Sequence, residues 1–303
     1  MTHRFRSIIR SVKKTRLFWR YGSNLSPTFN YRISGKNYLG HPEEGLVRRL
    51  NSYGVAFSSV EQLFGNEPDF PVLDSAVNEL LLSKTEEIRG LRCKAIEKNV
   101  GSKTFNLEAL GSELVFDPNS IFSRYALKRS LLDIANAYFG MCAKLRYYNV
   151  WYTFATEVSA RESQLWHFDR EDNYILKVFL YLDDVDEGAG PFTYAPGTHK
   201  KGKYRSIKPE YFLEGGVRRT TDEQMNAVYP EDKWVRAVGK KGTIIFADTR
   251  GYHKGGEART KDRLMFTCMY TSPASESKRL IVYPEGLDLT TLTPQQRRAL
   301  QHK

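Results

Sequence analysis

The chain has 303 residues, 41% of them hydrophobic and 13% aromatic, with 27% charged. This is ordinary globular composition, and it excludes a disordered chain, a collagen-like fibre or a disulfide-stapled miniprotein. No run of 18 apolar residues is present, so no helical bilayer span is expected. Cys93, Cys142 and Cys268 are widely spaced and form no CxxC pair. They read as reduced core thiols of a cytoplasmic protein.

The net charge of +11 is unevenly spread. Residues 1–20 hold Arg4, Arg6, Arg10, Lys13, Lys14, Arg16 and Arg20 and no acid, which leaves +4 for the other 283 residues. A near-neutral body with a basic N-terminal segment (1–22) is not the pattern of a nucleic-acid binder. The segment lacks a secretory h-region and cleavage site. Phe5, Ile8, Ile9 and Val12 fall on one helical face. Peripheral contact of residues 1–20 with an anionic membrane fits that pattern. Packing on the chain's own domain, or fraying in solvent, carries more weight, because one short helix binds membranes weakly.

From residue 23 to the end a single domain is expected. Residues 23–50 read as loop followed by a short helix, HPEEGLVRRLNSY, stopped at Gly54. GVAFSS is the first strand candidate. Helical stretches occupy 72–98, and 119–143 reads as one longer helix capped by Asn119 or Ser120. This helical part ends at about 143.

The texture then changes. KLRYYNVWYTFAT, YILKVFLYL, GPFTYA, GTIIFAD and RLMFTCMYTS are aromatic and β-branched strand candidates. They fill a core of about 144–272, interrupted by a long basic loop at 199–234. A short helix is expected in that loop, with Thr220 and Glu223 as its capping box. The extension 273–303 ends in a helix capped by Thr293, with Pro294 at its first position and Gln296 closing the box. Helices first, then a dense set of short strands, indicate an α+β protein with a β-sandwich or jelly-roll body.

The chemistry concentrates in Gln164-Leu165-Trp166-His167-Phe168-Asp169. In extended chain His167 and Asp169 point to the same side. His253 follows a strand and a tight turn 84 residues after Asp169. Two imidazoles and one carboxylate, with the other positions open, are the ligand set of a mononuclear non-haem Fe(II) site. Ten residues past His253, Arg263 opens a strand. A guanidinium there suits the far carboxylate of a dicarboxylate such as 2-oxoglutarate. A plain sheet histidine, a turn acid and a surface Arg–Asp262 pair are the plainer readings of the same residues.

The stretch LKVFLYLDDVDEGAGPFTYAPGTHK resembles the phytanoyl-CoA dioxygenase family. It has that family's hydrophobic strand (176–182), acidic turn (183–187), Gly190-Pro191 break and P-G-[ST]-H turn at Pro196–His199. The resemblance covers about 144–272 and implies a double-stranded β-helix (a cupin-like barrel), with Fe(II), 2-oxoglutarate and O₂. His167, Asp169 and His253 match the family's metal ligands and Arg263 its 2-oxoglutarate arginine. The family's reaction converts 2-oxoglutarate to succinate and CO₂ while a substrate is oxidised. Asp169 stands where the family's halogenating members have Ala or Gly, so the resemblance favours a hydroxylase. Phe179 matches an aromatic position near 2-oxoglutarate. Lys177, on the same strand face, and Asn149, on the preceding strand, are further cosubstrate candidates. Gly255 departs from the hydroxyl side chain that often assists the distal carboxylate.

The substrate is expected to be a small organic molecule. The loop 199–234 carries Lys200, Lys201, Lys203, Arg205, Lys208, Arg218 and Arg219, which suit an anionic group equally with a solvated surface. Two other classes compete. One is a cupin-like isomerase or O₂-only dioxygenase, the other a barrel used only for binding. Neither has a dicarboxylate that needs Arg263, and a binding barrel has no need of a complete ligand set.

Overall fold

The computed structural model describes residues 15–33, 39–95, 104–278 and 280–301. The apolar face expected over Phe5–Val12 lies outside these residues. In chain order the strands are β1 (Val55–Ser59), β2 (Asn106–Glu108), β3 (Leu114–Val115), β4 (Lys144–Thr153), β5 (Leu176–Tyr181), β6 (Thr193–Tyr194) and β7 (Phe212–Glu214). They continue with β8 (Val217–Arg219), β9 (Val235–Arg236), β10 (Thr243–Asp248), β11 (His253–Lys254), β12 (Arg263–Thr271) and β13 (Ile281–Val282). Helices and sheet are mixed, as expected of an α+β chain.

The main sheet has six strands in the order β1-β10-β5-β12-β4-β2, all neighbours antiparallel. A smaller sheet, β11-β6-β9, stands against it. Alternation along each strand separates two cores. Val178 and Leu180 of β5, Phe246 of β10 and Phe266 of β12 join Leu131 and Tyr138 of the helix Arg129–Phe139 on one side. Phe179, Tyr181, Ile245 and Met265 face the other way and meet Phe192 and Tyr194 of the smaller-sheet layer. Helices cover one face, and the second sheet closes on the other. The functional residues lie on that inner side.

The five long strand candidates all form strands. The helix His41–Tyr53 ends where expected, with Gly54 at φ 79°. That glycine is forced twice. An L side chain is strained in this conformation, and a Cβ there would run into the Tyr194 hydroxyl and lie 2.7 Å from His199 Nδ1. His199, fully buried, rests against this helix end with Nε2 3.3 Å from Asn51 O. The P-G-T-H turn is thus a packing element.

Four expectations need correction. The stretch 119–143 is two helices, Ile121–Ala126 and Arg129–Phe139, because Lys128 turns extended to pair with Glu67 and Asp69. Ser120 caps the first, its Oγ accepting from Phe122 N. The capping box in the basic loop is Thr221 with Gln224, one residue later than Thr220 with Glu223. Thr220 is already used: its backbone pairs with Trp166, and its hydroxyl donates to Glu210 O. Residues 25–33 form a helix rather than loop. Cys142 and Cys268 are buried free thiols, but Cys93 is exposed. The C-terminal helix Pro294–Leu300 has the expected Thr293–Gln296 box. Among the described residues no helix is long and apolar enough to cross a membrane.

Gly54→Ala is expected to lower unfolding stability by at least about 2 kcal/mol, combining left-handed strain with overpacking. Urea denaturation of the two proteins checks this.

Candidate metal and cosubstrate site

The two histidines are set opposite each other by backbone pairing. His167 N donates to His253 O and His253 N to His167 O, each at 2.9 Å. Asp169 N donates to Thr249 O at 2.8 Å, extending the contact along the same two segments. The imidazole centroids are 4.3 Å apart. One ligand atom from each of His167, Asp169 and His253 lies within 4.8 Å of the other two, and this is the group of metal-binding composition found among the described residues. The expected convergence is therefore present. It comes from an isolated bridge after the short helical turn Glu162–Gln164, not from a long strand.

The protonation pattern suits a cation. His167 Nδ1 lies 2.8 Å from Leu165 O, and His253 Nδ1 lies 3.0 Å from Gly251 O. A carbonyl only accepts, so both Nδ1 atoms carry the proton and both Nε2 lone pairs are free. Burial, reinforced by the neighbouring His253, holds the His167 pKa well below the ordinary imidazole value. Burial also pulls His253 down. Burial alone would raise Asp169, but the Lys177 ammonium and the two imidazoles outweigh it and keep the carboxyl well below the usual range. Two neutral imidazoles and one carboxylate are the state a divalent metal needs.

Lys177 Nζ sits 2.8 Å from Asp169 Oδ2. This is an ion-pair contact and not an aligned hydrogen bond, because that buried oxygen has no hydrogen-bond partner among the described residues. Burial lowers the lysine pKa, but the charge of Asp169 outweighs this and raises it above the ordinary ammonium value. The expected cosubstrate lysine is therefore held on the proposed ligand carboxylate.

Arg263 occupies the other end of the same cavity. It is 3% exposed. Its Nη1 donates to Gly255 O at 2.5 Å and its Nη2 reaches Thr153 Oγ1 at 3.5 Å, while Nε has no partner. No carboxylate pairs with it among the described residues. Asp262, its neighbour in sequence, pairs with Arg92 and accepts from the Tyr152 hydroxyl instead. Lys177 pairs with Met269 across the sheet, six residues from Arg263 on β12. That is about 20 Å of strand, so the two cations serve different ends of the cavity.

The cavity has a volume of about 450 Å³, and its walls include all seven candidate residues. Phe179 stacks 4.8 Å from Phe192, which lies 5.6 Å from the His253 ring. Asn149 also borders the cavity but is already committed. Its Oδ1 accepts from Leu110 N and Val150 N, and its Nδ2 donates to Gly111 O. Sequence reasoning missed Thr153 and Trp151. Thr153 faces Arg263 across β4–β12 and sets a hydroxyl 3.5 Å from its Nη2. Trp151 shares that sheet face, and its buried Nε1–H has no partner. Their shared parity along β4 with Asn149 was the available signal.

Residues 124–265 match the sequence profile of the family described as phytanoyl-CoA dioxygenase. This stretch, a little under half of the chain, is therefore a phytanoyl-CoA dioxygenase domain by its sequence. A search of curated protein sequences finds no match. Among solved structures, this chain is similar to SnoK, a non-haem alpha-ketoglutarate-dependent carbocyclase from nogalamycin biosynthesis. The identity is 14%, over 78% of this chain and 85% of that one, with a TM-score of 0.50. EctD from S. alaskensis, in its apoform, gives 19% identity over 78% and 80% of the two chains, TM-score 0.49. The epimerase SnoN, in complex with Fe3+, alpha-ketoglutarate and nogalamycin RO, gives 19% over 76% and 84%, TM-score 0.46. The likeness to SnoK is one of fold.

Lys177→Met is expected to destabilise the metal-free protein by about 3–5 kcal/mol, the cost of leaving one partner of a buried pair alone. Because Lys177 and a metal compete for Asp169 Oδ2, Mn(II) should restore more stability to this variant than to the wild type. Chemical denaturation with and without Mn(II) measures both effects.

Proposed function

We propose that this chain is a non-haem Fe(II)- and 2-oxoglutarate-dependent oxygenase that hydroxylates a small organic substrate. The reading rests on one observation: two free imidazole Nε2 atoms and an ionised carboxylate converge in a cavity that also holds a buried Arg263 with no carboxylate partner among the described residues. The residues fit the implied groups. Asp169 Oδ2 is buried without a hydrogen bond, and both histidines present the metal-binding tautomer. The main and smaller sheets would be the two walls of a double-stranded β-helix.

In this reading His167, Asp169 and His253 hold Fe(II). Arg263 grips the far carboxylate of 2-oxoglutarate, assisted by Thr153. When bound, the iron and cosubstrate supply the oxidising chemistry with O₂, yielding succinate and CO₂ as the substrate is oxidised. The chain's own tasks are positional. The Leu165 and Gly251 carbonyls fix the ring tautomers, and Lys177 keeps Asp169 ionised and aimed. Phe179 and Phe192 keep water from the metal side of the cavity. The carboxylate of Asp169 would take a coordination position, which supports hydroxylation over halogenation. SnoK is a carbocyclase, so a ring-forming outcome on the same centre is the second reading.

Of the cations in the 199–234 loop, Arg219 borders the cavity, and it is paired with Glu162 at 3.0 Å. Arg218 lies over the Tyr211 ring, and Lys201 over the Tyr138 ring. An anionic substrate group would therefore meet one guanidinium of this loop and not a basic lid. A reducing, cytoplasmic setting accords with the free thiols.

Asp169→Ala should abolish succinate formation. Arg263→Leu should weaken 2-oxoglutarate binding by roughly 2–4 kcal/mol, with an unpaired carboxylate left behind, while Mn(II) binding survives. Calorimetric titration of metal and then cosubstrate separates the two effects. Unchanged 2-oxoglutarate affinity in Arg263→Leu would mean that the far carboxylate is held elsewhere.

A further inference from the structure

The segment Thr15–Ile33 has two faces. On the inner one Trp19, Asn24 and Thr28 are buried. Trp19 Nε1 donates to Asp172 Oδ1 at 2.7 Å, and Asp172 Oδ2 accepts from Ser272 N. Asn24 ties the turn down, donating to Trp19 O and Ser272 Oγ and accepting from Ala274 N. This face is thoroughly bonded to the domain, as expected of a segment that packs on its own body.

The outer face is apolar. Leu17 is 72% exposed, Tyr21 42%, Leu25 57%, Phe29 59% and Ile33 66%. They recur every fourth residue, so they form one stripe along each helical piece. Arg32 joins the two pieces, its Nη2 donating to the Tyr21 hydroxyl at 2.9 Å and its guanidinium lying 5.6 Å from that ring. A soluble surface rarely exposes large apolar side chains in such a row without a use for them.

The sequence charge of this end of the chain is one-sided. Residues 1–42 carry nine Lys and Arg and no Asp or Glu, which leaves only +2 for the other 261 residues. A second copy of this chain is a poor occupant, since it would bring two such cationic ends together. A nucleic acid would satisfy the charge but leave the aliphatic side chains without a partner.

We propose that this face docks on an anionic lipid bilayer, the helices lying in the interface plane. Leu17, Leu25, Phe29 and Ile33 enter the acyl boundary while the exposed Arg16 and Arg32 meet anionic headgroups. An apolar stripe plus a polybasic stretch supplies the two signals that stable peripheral binding needs. The helix is already formed and anchored through Trp19, so binding does not carry the entropy of folding it. The site then works on a membrane-apposed protein, whatever its substrate.

The test is co-sedimentation of the full chain with vesicles of phosphatidylcholine alone, or with about one third phosphatidylserine, at ordinary ionic strength. The wild type should bind the anionic vesicles and not the neutral ones. The double variant Leu25→Ser/Phe29→Ser should bind them at least about tenfold more weakly. Both positions are exposed, so its melting temperature and Mn(II) binding should match the wild type. Three results would overturn the proposal. The wild type could fail to bind anionic vesicles. The variant could bind them equally, which leaves charge attraction alone. Light scattering could show a wild-type dimer that the variant dissolves, which assigns the stripe to a second copy.

Discussion

The pair of backbone hydrogen bonds between His167 and His253 is the constraint on which the site depends. The two residues are 86 positions apart in the chain, and closing such a loop costs entropy before any metal is present. That cost is met by the sheets. β11, which begins at His253, pairs with β6, and β6 pairs with β9. Phe192 and Tyr194 of this layer are packed against the inner face of the main sheet. The geometry of the two imidazoles is thus fixed by ladder bonds and a dry core between two sheets. Carbonyls at i−2 of each histidine then set the tautomer without help from any side chain. A site built this way is organised in advance of its ligands.

The same preorganisation shows in the cavity's charges. Lys177 pairs with Asp169, Arg219 with Glu162 and Arg146 with Glu171. Each buried charge has an opposite partner, as a low-dielectric interior requires. Arg263 departs from the pattern, held by backbone and hydroxyl oxygens alone. Burial pulls its pKa down from the ordinary guanidinium value, a measure of how unfavourable the charge is there. An arrangement that costs stability and is kept in place by several acceptors makes sense as a waiting place for an anion.

Much of this was legible in the sequence, and for a physical reason. β4, β5, β10 and β12 are long and rich in β-branched and aromatic residues, so composition and alternation point the same way. His167, Asp169, His253 and Arg263 are chemically scarce residues at telling separations. What the sequence concealed is set by tertiary contact. Lys128 breaks a helix because two carboxylates on another element claim its ammonium. Thr220 cannot cap because Trp166 has taken its backbone. The helix Leu25–Ile33, with Pro27 in its first turn and Asn and Ser along it, looks like loop until its docking on the domain is seen. Asn149 has the right strand and the right face for a cosubstrate contact, and only the Leu110–Gly111 turn reveals that its amide is occupied.

The long basic loop shows how charge counting and geometry diverge. Composition suggests a flexible cationic lid, yet its site-facing part is the hairpin β7–β8. That hairpin is fastened at its base. Thr220 and Trp166 exchange backbone hydrogen bonds at 3.0 and 3.1 Å, and Trp166 lies one residue before His167. Arg219 reaches Glu162 at 3.0 Å, and Glu162 N donates to Glu214 Oε2 at 2.6 Å. The wall of the cavity and the ligand-bearing segment are therefore one bonded unit. Displacing the hairpin would pull on the chain that positions His167, so the wall cannot open freely without disturbing the metal ligands. Flexibility, if the reaction needs it, has to come from the tip, where Gly215 and Gly216 both adopt positive φ and a side chain on Gly216 would meet nothing. The cavity's surfaces are then fixed ones, Trp151 and Tyr147 on the main sheet and Val217 and Arg219 on the hairpin, and the loop's outer lysines do not line it.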